Sequence, residues 1–448
     1  MYAKGIKRKD FPGDESRLKP GMLVDYFIQQ HFAKRRGPHY DFRIGDKNTN
    51  LFSWATNEHP TKIHEGERKP AARTNLHQHS YGSWEGMIPK GYGHGLVKSD
   101  TIGKALITRN TGKTISFSTA DGKYPARYTL VNPGEKYGKG YWMMLRQKTP
   151  EDTGIEKTHY KTVDDPEKHL EQLTDKDIVQ PKIDGALQYL SLHKNKVEMM
   201  SHRLSDVNKK PILHTERFFG HRPHIKIPRD LSRALILAEV YGTKNGKPIP
   251  QQDTSAILNS SLGKSIKDQK DKGIQLQAML FDVARYKGKD IKFDLPYSER
   301  RKILEKVLAT LKSKQFHLPD EHKGTEAKKV WEDIKSNKHH QTNEGLIVYP
   351  EKGIPTKLKH MPEQDVHIRN FFEGEGRYKG KGVGGFEYSH TPDGPIVGKV
   401  GTGLSDELRK LMHDDPKAFI DRIARVHSQG QLPSGALRAP ALINLHEG

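Results

Sequence analysis

Residues 180–189 read QPKIDGALQY, Gln180 to Tyr189. Lys182 closes a strand-like run, and an Asp184–Gly185 turn follows two places on. Such a turn seats a lysine in a pocket. A lysine held beside other cations, or partly desolvated, has a lowered pKa and can serve as an amine nucleophile. The same residues also suit a surface lysine ahead of a β-turn, so the rest of the chain decides between the two.

Outward from this stretch the pattern is mixed. DIVQPKIDGALQYLSLHKNKVEMMSHR reads as strands around turns, and ALILAEVYG and GIQLQAMLFDVARY as buried strands. YSERRKILEKVLATLKS and TEAKKVWEDIKSN carry helical spacing, and EGLIVYP is a short strand. After Pro362 the chain is Gly-rich and alternating, which predicts a small β-barrel. A helix is expected there at SDELRKLMHD or PKAFIDRIARVH. Up to Thr149, runs such as LFSWAT, TISFST and RYTLV predict a β-rich domain, with Glu58 to Ser80 a long polar loop. The expected boundaries are 1–150, a charged linker at 151–168, 169–362 and 363–448.

A chain of 448 residues is too long for one ordinary core. Its 76 Lys and Arg against 55 Asp and Glu leave +21, which favours a polyanionic partner. With no apolar run long enough for a bilayer and no secretory signal, that partner is expected to be nucleic acid rather than membrane. There are no cysteines, so disulfides, thiolate metal sites and cysteine nucleophiles are excluded. Any metal must be held by His, Asp, Glu or carbonyl oxygen. A monomer in the reducing cytoplasm, associated with the nucleoid, is expected.

A second stretch, QQHFAKRRGPHYDFR, holds His31, His39, Asp41 and Arg43. On a strand, His39, Asp41 and Arg43 share one face. Two imidazoles and a carboxylate make a three-ligand site for manganese, cobalt or zinc, and the arginine beside them can clamp a phosphate. The competing reading is a scatter of solvated histidines in a chain that has 24 of them.

The QPKIDG lysine does not stand alone. The motifs after it resemble, in order, the covalent nucleotidyltransferase superfamily and in particular ATP-dependent polynucleotide ligases. The resemblance implies that Lys182 takes AMP from ATP as a lysyl-AMP phosphoramidate, within a pocket that includes Asp184 and Gly185. It assigns Arg203 of SHRL to nucleotide and substrate phosphate, Glu239 of LAEVYG to the motif carboxylate, and Phe281 of LFDVARY to stacking on the purine. Glu344 of EGLIVYP becomes a metal-facing carboxylate, and with Glu239 it would hold magnesium or manganese. Lys357 and Lys359 of TKLK become phosphate contacts and helpers in depressing the Lys182 pKa. Arg438 of LRAPALINLHEG matches the first arginine of the last motif. His446 stands at that motif's second basic position, and Leu187 where many DNA ligases carry arginine.

The first segment resembles the 3′-phosphoesterase domain of bacterial ligase D proteins, through FIQQHFAKRRGPHYDFRI, LFSWAT, SYGSWEGMIPKGYGHG and GYWMMLRQK. By that likeness His31, His39 and Asp41 bind metal, Arg43 and His77 hold the scissile phosphate, and Tyr81 supports it. Gly37–Pro38 is an insertion, and His64, His79 and His94 are bystanders. The implied fold is α+β in several domains. These are a β-barrel-like phosphoesterase, an ATP-grasp-like adenylation domain with antiparallel sheets, and an OB-fold barrel. The implied function is ATP-dependent sealing of 3′-hydroxyl/5′-phosphate nicks in duplex DNA, with metal-dependent trimming of 3′ ends. The alternatives are an RNA-joining or RNA-templated ligase, suggested by Ala186 and Leu187, and a first domain that only binds nucleic-acid ends.

Overall fold

The structure is a computed structural model. It describes residues 15–446 apart from 123–124, 135–136, 139, 150–152, 156–159, 164, 206, 208, 292–294, 337–342, 352 and 433. The chain is α+β, as expected. It divides into two compact units, Met1–His159 with Asp184–Asp320 and Tyr160–Ile183 with Glu321–Gly448. Among the described residues no helix is long and apolar enough to cross a membrane.

The first unit begins with nine antiparallel strands: β1 (Leu23–Ala33), β2 (Gly37–Asp46), β3 (Asn50–Thr56), β4 (Arg68–Arg73), β5 (Gly86–Ile88), β6 (Gly95–Asn110), β7 (Thr114–Thr119), β8 (Arg127–Val131) and β9 (Tyr141–Arg146). The order β1-β2-β3-β4-β9-β8-β7-β6 closes through pairing of β6 with β1, and β5 hangs on β6. Eight strands leave an interior that side chains can fill. Here Ile28, Phe42, Ile44, Trp54, Phe117 and Met144 fill it. The stretch expected as a loop from Glu58 to Ser80 contains β4, which bridges β3 and β9 and completes the barrel. Its sequence, RKPAAR, has no apolar alternation. Its ladder partners on both sides hold it in the sheet, and a single sequence cannot display them.

A second sheet in this unit runs in the order 211–213, 196–204, 186–193, 234–244, 274–286 and 289–290. Its core draws Leu190, Met199, Ile236, Val240, Leu280 and, from the helix Tyr297–Leu311, Leu304 and Val307. Helices Gln251–Asn259 and Leu262–Lys272 were not legible in the sequence. Their polar composition leaves only Thr254, Ile257, Leu258, Leu262 and Ser265 buried.

A buried charge cluster ties the barrel to this second sheet. Glu216, 1% exposed, accepts from Arg127 Nε at 2.8 Å, Arg222 Nε at 2.8 Å and Ser118 Oγ at 3.1 Å. Arg127 also reaches Glu198 at 3.0 Å, and Arg222 bonds Gln147. Burial opposes ionisation of Glu216, but the two arginines outweigh it and hold its carboxyl far below the usual range. Removing one member of such a cluster strands the others. Glu216→Ala should therefore cost about 3–5 kcal/mol of unfolding free energy, read by denaturant titration. Because the folded-state pKa is depressed, this contribution is complete above pH ~4.5 and is lost as pH falls towards the folded value. Glu216→Gln should show a shallower loss of stability below that pH.

The second unit has two five-stranded sheets. One runs 161–162, 356–359, 343–349, 178–183 and 322–323, with the helix Ala327–Lys335 packing Val330, Trp331 and Ile334 against Val179, Leu346 and Leu358. The other runs 398–400, 383–389, 363–373, 423–427 and 441–445. A Thr402–Ala441 bridge joins its edges, consistent with the expected OB-fold barrel. Of the two stretches offered for its helix, SDELRKLMHD supplies it as Asp406–Asp414, capped by the Ser405 side chain. PKAFIDRIARVH instead forms a short turn and the strand Ile423–His427. Residues 150–152, 156–159 and 164 of the linker region lie outside the described residues. Its described part holds the strand Lys161–Thr162 and a helix, Pro166–Leu170, capped by Asp165.

Candidate active sites

On β1 and β2 the apolar residues Ile28, Phe42 and Ile44 enter the barrel core, so their neighbours face the opposite side. The antiparallel register sets His31 opposite His39, Gln29 opposite Asp41 and Phe27 opposite Arg43. Four chemically active side chains thus meet on one face, though His31 lies in a different strand from the others. They are buried, at 6% exposure or less. The chain around Tyr81 and Trp84 fastens to this face, since Gln29 Nε2 donates to both carbonyls at 3.0 and 2.7 Å. His77 is held by a two-hydrogen-bond bridge to Leu51.

His31, His39 and Asp41 offer ligand atoms all within 4.8 Å of one another, the one such cluster among the described residues. His31 Nε2 faces the Gly93 carbonyl at 2.9 Å, and His39 Nδ1 faces the Gly37 carbonyl at 2.9 Å. A carbonyl can only accept, so these nitrogens carry the protons. The other ring nitrogens, His31 Nδ1 and His39 Nε2, lie 3.4 and 3.7 Å from Asp41 oxygens. Three potential ligand atoms gathered this closely suit a cation. Outer nitrogens fixed by carbonyls are the usual support of metal-binding histidines. The residues fit a divalent metal.

Arg43 is fully framed: Nε donates to Gln29 Oε1 at 2.7 Å, Nη2 to Asp41 at 3.0 Å and Nη1 to Ser53. Its guanidinium lies 5.0 Å from the Tyr81 ring centre, and Tyr81 stacks on His77 at 4.7 Å. Burial and then Arg43 hold the His77 imidazole well below its ordinary pKa, so it is neutral at pH 7. Burial also keeps the Tyr81 phenol protonated by raising its pKa. Burial disfavours the Asp41 carboxylate, but Arg43 and the histidines outweigh that and keep it ionised. A neutral His77 imidazole can hydrogen-bond beside the Arg43 guanidinium, which is compatible with the expectation that both hold a phosphate. Sequence reasoning missed Gln29 and Ser53. Gln29 carried a signal, because it stands two places before His31 on the same strand face. Of the bystanders, His79 is engaged with Asp25 at 2.9 Å, and the His94 carbonyl accepts from the Lys34 amide.

In the second unit Lys182 is the penultimate residue of the strand Ile178–Ile183, opposite Gly345. Its ammonium is ion-paired with Glu344, and Lys359 reaches the other Glu344 oxygen at 3.0 Å. Lys357 and Lys359 flank the buried Leu358 and so share the other face of their strand. Gly345 permits this closeness: at φ +146° a Cβ there would lie 1.9 Å from the Leu358 carbonyl oxygen. Burial opposes ionisation of Glu344, but Lys182 and Lys359 outweigh it and lower its pKa. Burial, then Lys182 and Lys359, lower the pKa of Lys357. Arg438 lies in the segment whose backbone bonds Gln429 and Gly430, and His446 reaches Asp365 at 3.1 Å.

The first unit holds the other expected residues. Gly185 sits against the neighbouring strand, where a Cβ would lie 2.5 Å from the Val240 carbonyl oxygen and 3.0 Å from Glu239 Cγ. Asp184 precedes it, half-buried. Glu239 is half-buried, opposite Leu187. Phe281 falls where the register shifts between Leu280–Ala238 and Asp282–Leu237, a bulge that re-aims a side chain. The YSERR stretch braces it: Tyr297 donates to the Phe281 carbonyl at 3.2 Å, and buried Arg300 pairs with Asp282 at 2.8 Å. Arg203 is exposed at the end of Lys196–Leu204.

The chain thus carries two separate clusters, a buried two-histidine, one-carboxylate group on the barrel and a lysine–carboxylate–lysine group on a sheet of the other unit. Residues 29–132 match the DNA Ligase D 3′-phosphoesterase domain, and residues 160–356 match the ATP dependent DNA ligase domain. The match to the phosphoesterase domain thus precedes the match to the ligase domain along the chain. It is 29% identical to the DNA ligase of Methanococcus aeolicus over 244 residues, covering 50% of this chain and 40% of that one. It is 26% identical to DNA ligase 2 of Methanosarcina acetivorans over 362 residues, covering 77% of this chain and 58% of that one. The chain therefore spans about half the length of these curated relatives. A mycobacterial DNA ligase D solved with ATP and MES shares 17% identity, over 64% of this chain and 93% of that one, with a TM-score of 0.32.

Proposed function

We propose that the protein is an ATP-dependent DNA ligase sealing 3′-hydroxyl/5′-phosphate nicks, and that its first domain prepares 3′ ends as a metal-dependent phosphoesterase. The carrying observation is the Lys182–Glu344–Lys359 cluster, of which Lys182 and Glu344 lie inside the stretch that matches the ATP dependent DNA ligase domain. Lys182 would attack the α-phosphorus of ATP; the N–P bond forms and the bond to pyrophosphate breaks. Lys357 and Lys359, on the strand across 343–349 from that of Lys182, would hold phosphate and disfavour a third ammonium. By the family likeness Arg203, Phe281 and the Asp184–Gly185 turn in the first unit would bind nucleotide, and Arg438 in the second would bind phosphate. Glu239 in the first unit and Glu344 in the second each offer hard oxygens suited to magnesium or manganese, which would offset charge on the triphosphate.

In the first domain His31, His39 and Asp41 would hold manganese, cobalt or zinc, which supplies Lewis acidity towards a 3′-phosphate oxygen. Arg43 offsets phosphate charge, neutral His77 hydrogen-bonds to it, and Tyr81 and Gln29 fix Arg43. The proposed boundaries remain 1–150, 151–168, 169–362 and 363–448, the last an OB-fold laid on duplex backbone.

The test is incubation with α-labelled ATP, then with nicked duplexes varied in each strand. Labelled protein and joined DNA support the reading; absence of label refutes it. Joining confined to RNA-containing nicks would favour the RNA-joining alternative, for which Leu187 opposite Glu239 is the motivating feature. Duplex affinity should fall with salt at a log–log slope of roughly −0.9 per phosphate contact. Deleting the segment after Pro362 should reduce both affinity and slope, as fluorescence anisotropy would measure.

A further inference from the structure

The turn between β1 and β2 links the two histidines of the metal cluster and is strongly basic: Lys34, Arg35 and Arg36, all exposed. Beside it lies the loop from Pro89 to His94. The two are fastened together, since the Lys34 amide donates to the His94 carbonyl at 2.8 Å and Gly95 pairs with Ala33. The loop is also fastened to the cluster, because His31 Nε2 bonds the carbonyl of Gly93. Between these anchors Tyr92 stands 73% exposed, with the Arg35 guanidinium 5.4 Å from its ring centre. A large aromatic ring this open, held by a cation one residue from a group touching a metal ligand, has no packing role in the barrel core.

We propose that the Lys34–Arg36 turn and Tyr92 form a cradle for the unpaired run of nucleotides leading to a 3′ terminus. The turn would take backbone phosphates, and Tyr92 would stack on one base. The combination of a basic track and an open aromatic ring is how single-stranded nucleic acid is held without sequence preference. Stacking on Tyr92 needs a base free of its duplex neighbours, so the preferred substrate of the first domain is a frayed or single-stranded 3′ end. This inference rests on the phosphoesterase reading of the adjacent cluster.

Two measurements on the full chain test it and separate it from that reading. The first is the rate of phosphate release from a single-stranded 3′-phosphate oligonucleotide, intact or abasic at each of its last four positions in turn. Tyr92→Ala should raise KM about tenfold with kcat held, and Tyr92→Trp should restore it. One abasic position should raise KM for the wild type by a similar factor and add nothing to Tyr92→Ala. An unchanged KM, or equal and additive losses, overturns the cradle. The second uses 2-aminopurine at those four positions in a 3′-hydroxyl oligonucleotide, with no catalysis required. The wild type should quench one position and Tyr92→Ala none. Identical quenching by both overturns the cradle, even if the wild type releases no phosphate. Absent phosphate release with Tyr92-dependent quenching refutes the phosphoesterase reading and keeps the cradle.

Discussion

Lys182→Ala should yield no labelled protein after incubation with α-labelled ATP, a loss limited only by the detection threshold. The phosphoramidate needs an amine at the α-phosphorus, and Lys357 and Lys359 belong to a separate strand of the sheet, where the proposed role is to hold phosphate. Truncating Lys182 also leaves Glu344 with Lys359 alone. Sealing of a pre-adenylylated nick should fall much less than sealing with ATP, because AMP is then already on the 5′-phosphate. That split separates loss of the nucleophile from collapse of the site. Undiminished label on the Lys182→Ala chain would remove Lys182 from the reaction.

Asp41→Ala should abolish release of 3′-phosphate while leaving the joining of clean 3′-hydroxyl nicks in place. It removes the carboxylate between the two imidazoles and the partner of Arg43, and the effect on turnover should be on the order of a thousandfold or more. Lys182 lies in the other unit. Chelation followed by manganese, cobalt or zinc should restore the wild-type rate and leave Asp41→Ala inactive. His64→Ala, at an exposed position, should behave as wild type. A wild-type chain that leaves every 3′-phosphate intact with all three metals would make the first domain an end-binding platform.

Much of the fold was readable because alternation and helical spacing are local. LFSWAT, TISFST, EGLIVYP and YSERRKILEKVLATLKS each carry their own period, and each became the expected element. RKPAAR carries none, and the strand it forms depends on β3 and β9. His39, Asp41 and Arg43 of HYDFR could be placed on one face from their spacing alone. Their pairing with His31, and the anchoring carbonyls of Gly37 and Gly93, depend on cross-strand register and on a loop 62 residues away from His31 in sequence. Arg127 and Glu216 were invisible for the same reason: they are 89 residues apart, and nothing local marks either as buried. The closeness of Lys182, Glu344 and Lys359 was inferred through family likeness, whereas the shared carboxylate that draws both lysines together came from the coordinates.

The central claim is that one chain both prepares and seals a 3′ end, and a single substrate tests it. A duplex nick bearing a 3′-phosphate and a 5′-phosphate is incubated with ATP, magnesium and manganese, and joined strands are counted. The wild-type chain should join it, whereas Asp41→Ala should join only the matching 3′-hydroxyl nick and Lys182→Ala should leave a 3′-hydroxyl but no joined strand. Joining of the 3′-phosphate nick by Asp41→Ala, or failure of the wild type to join either nick, would contradict the account.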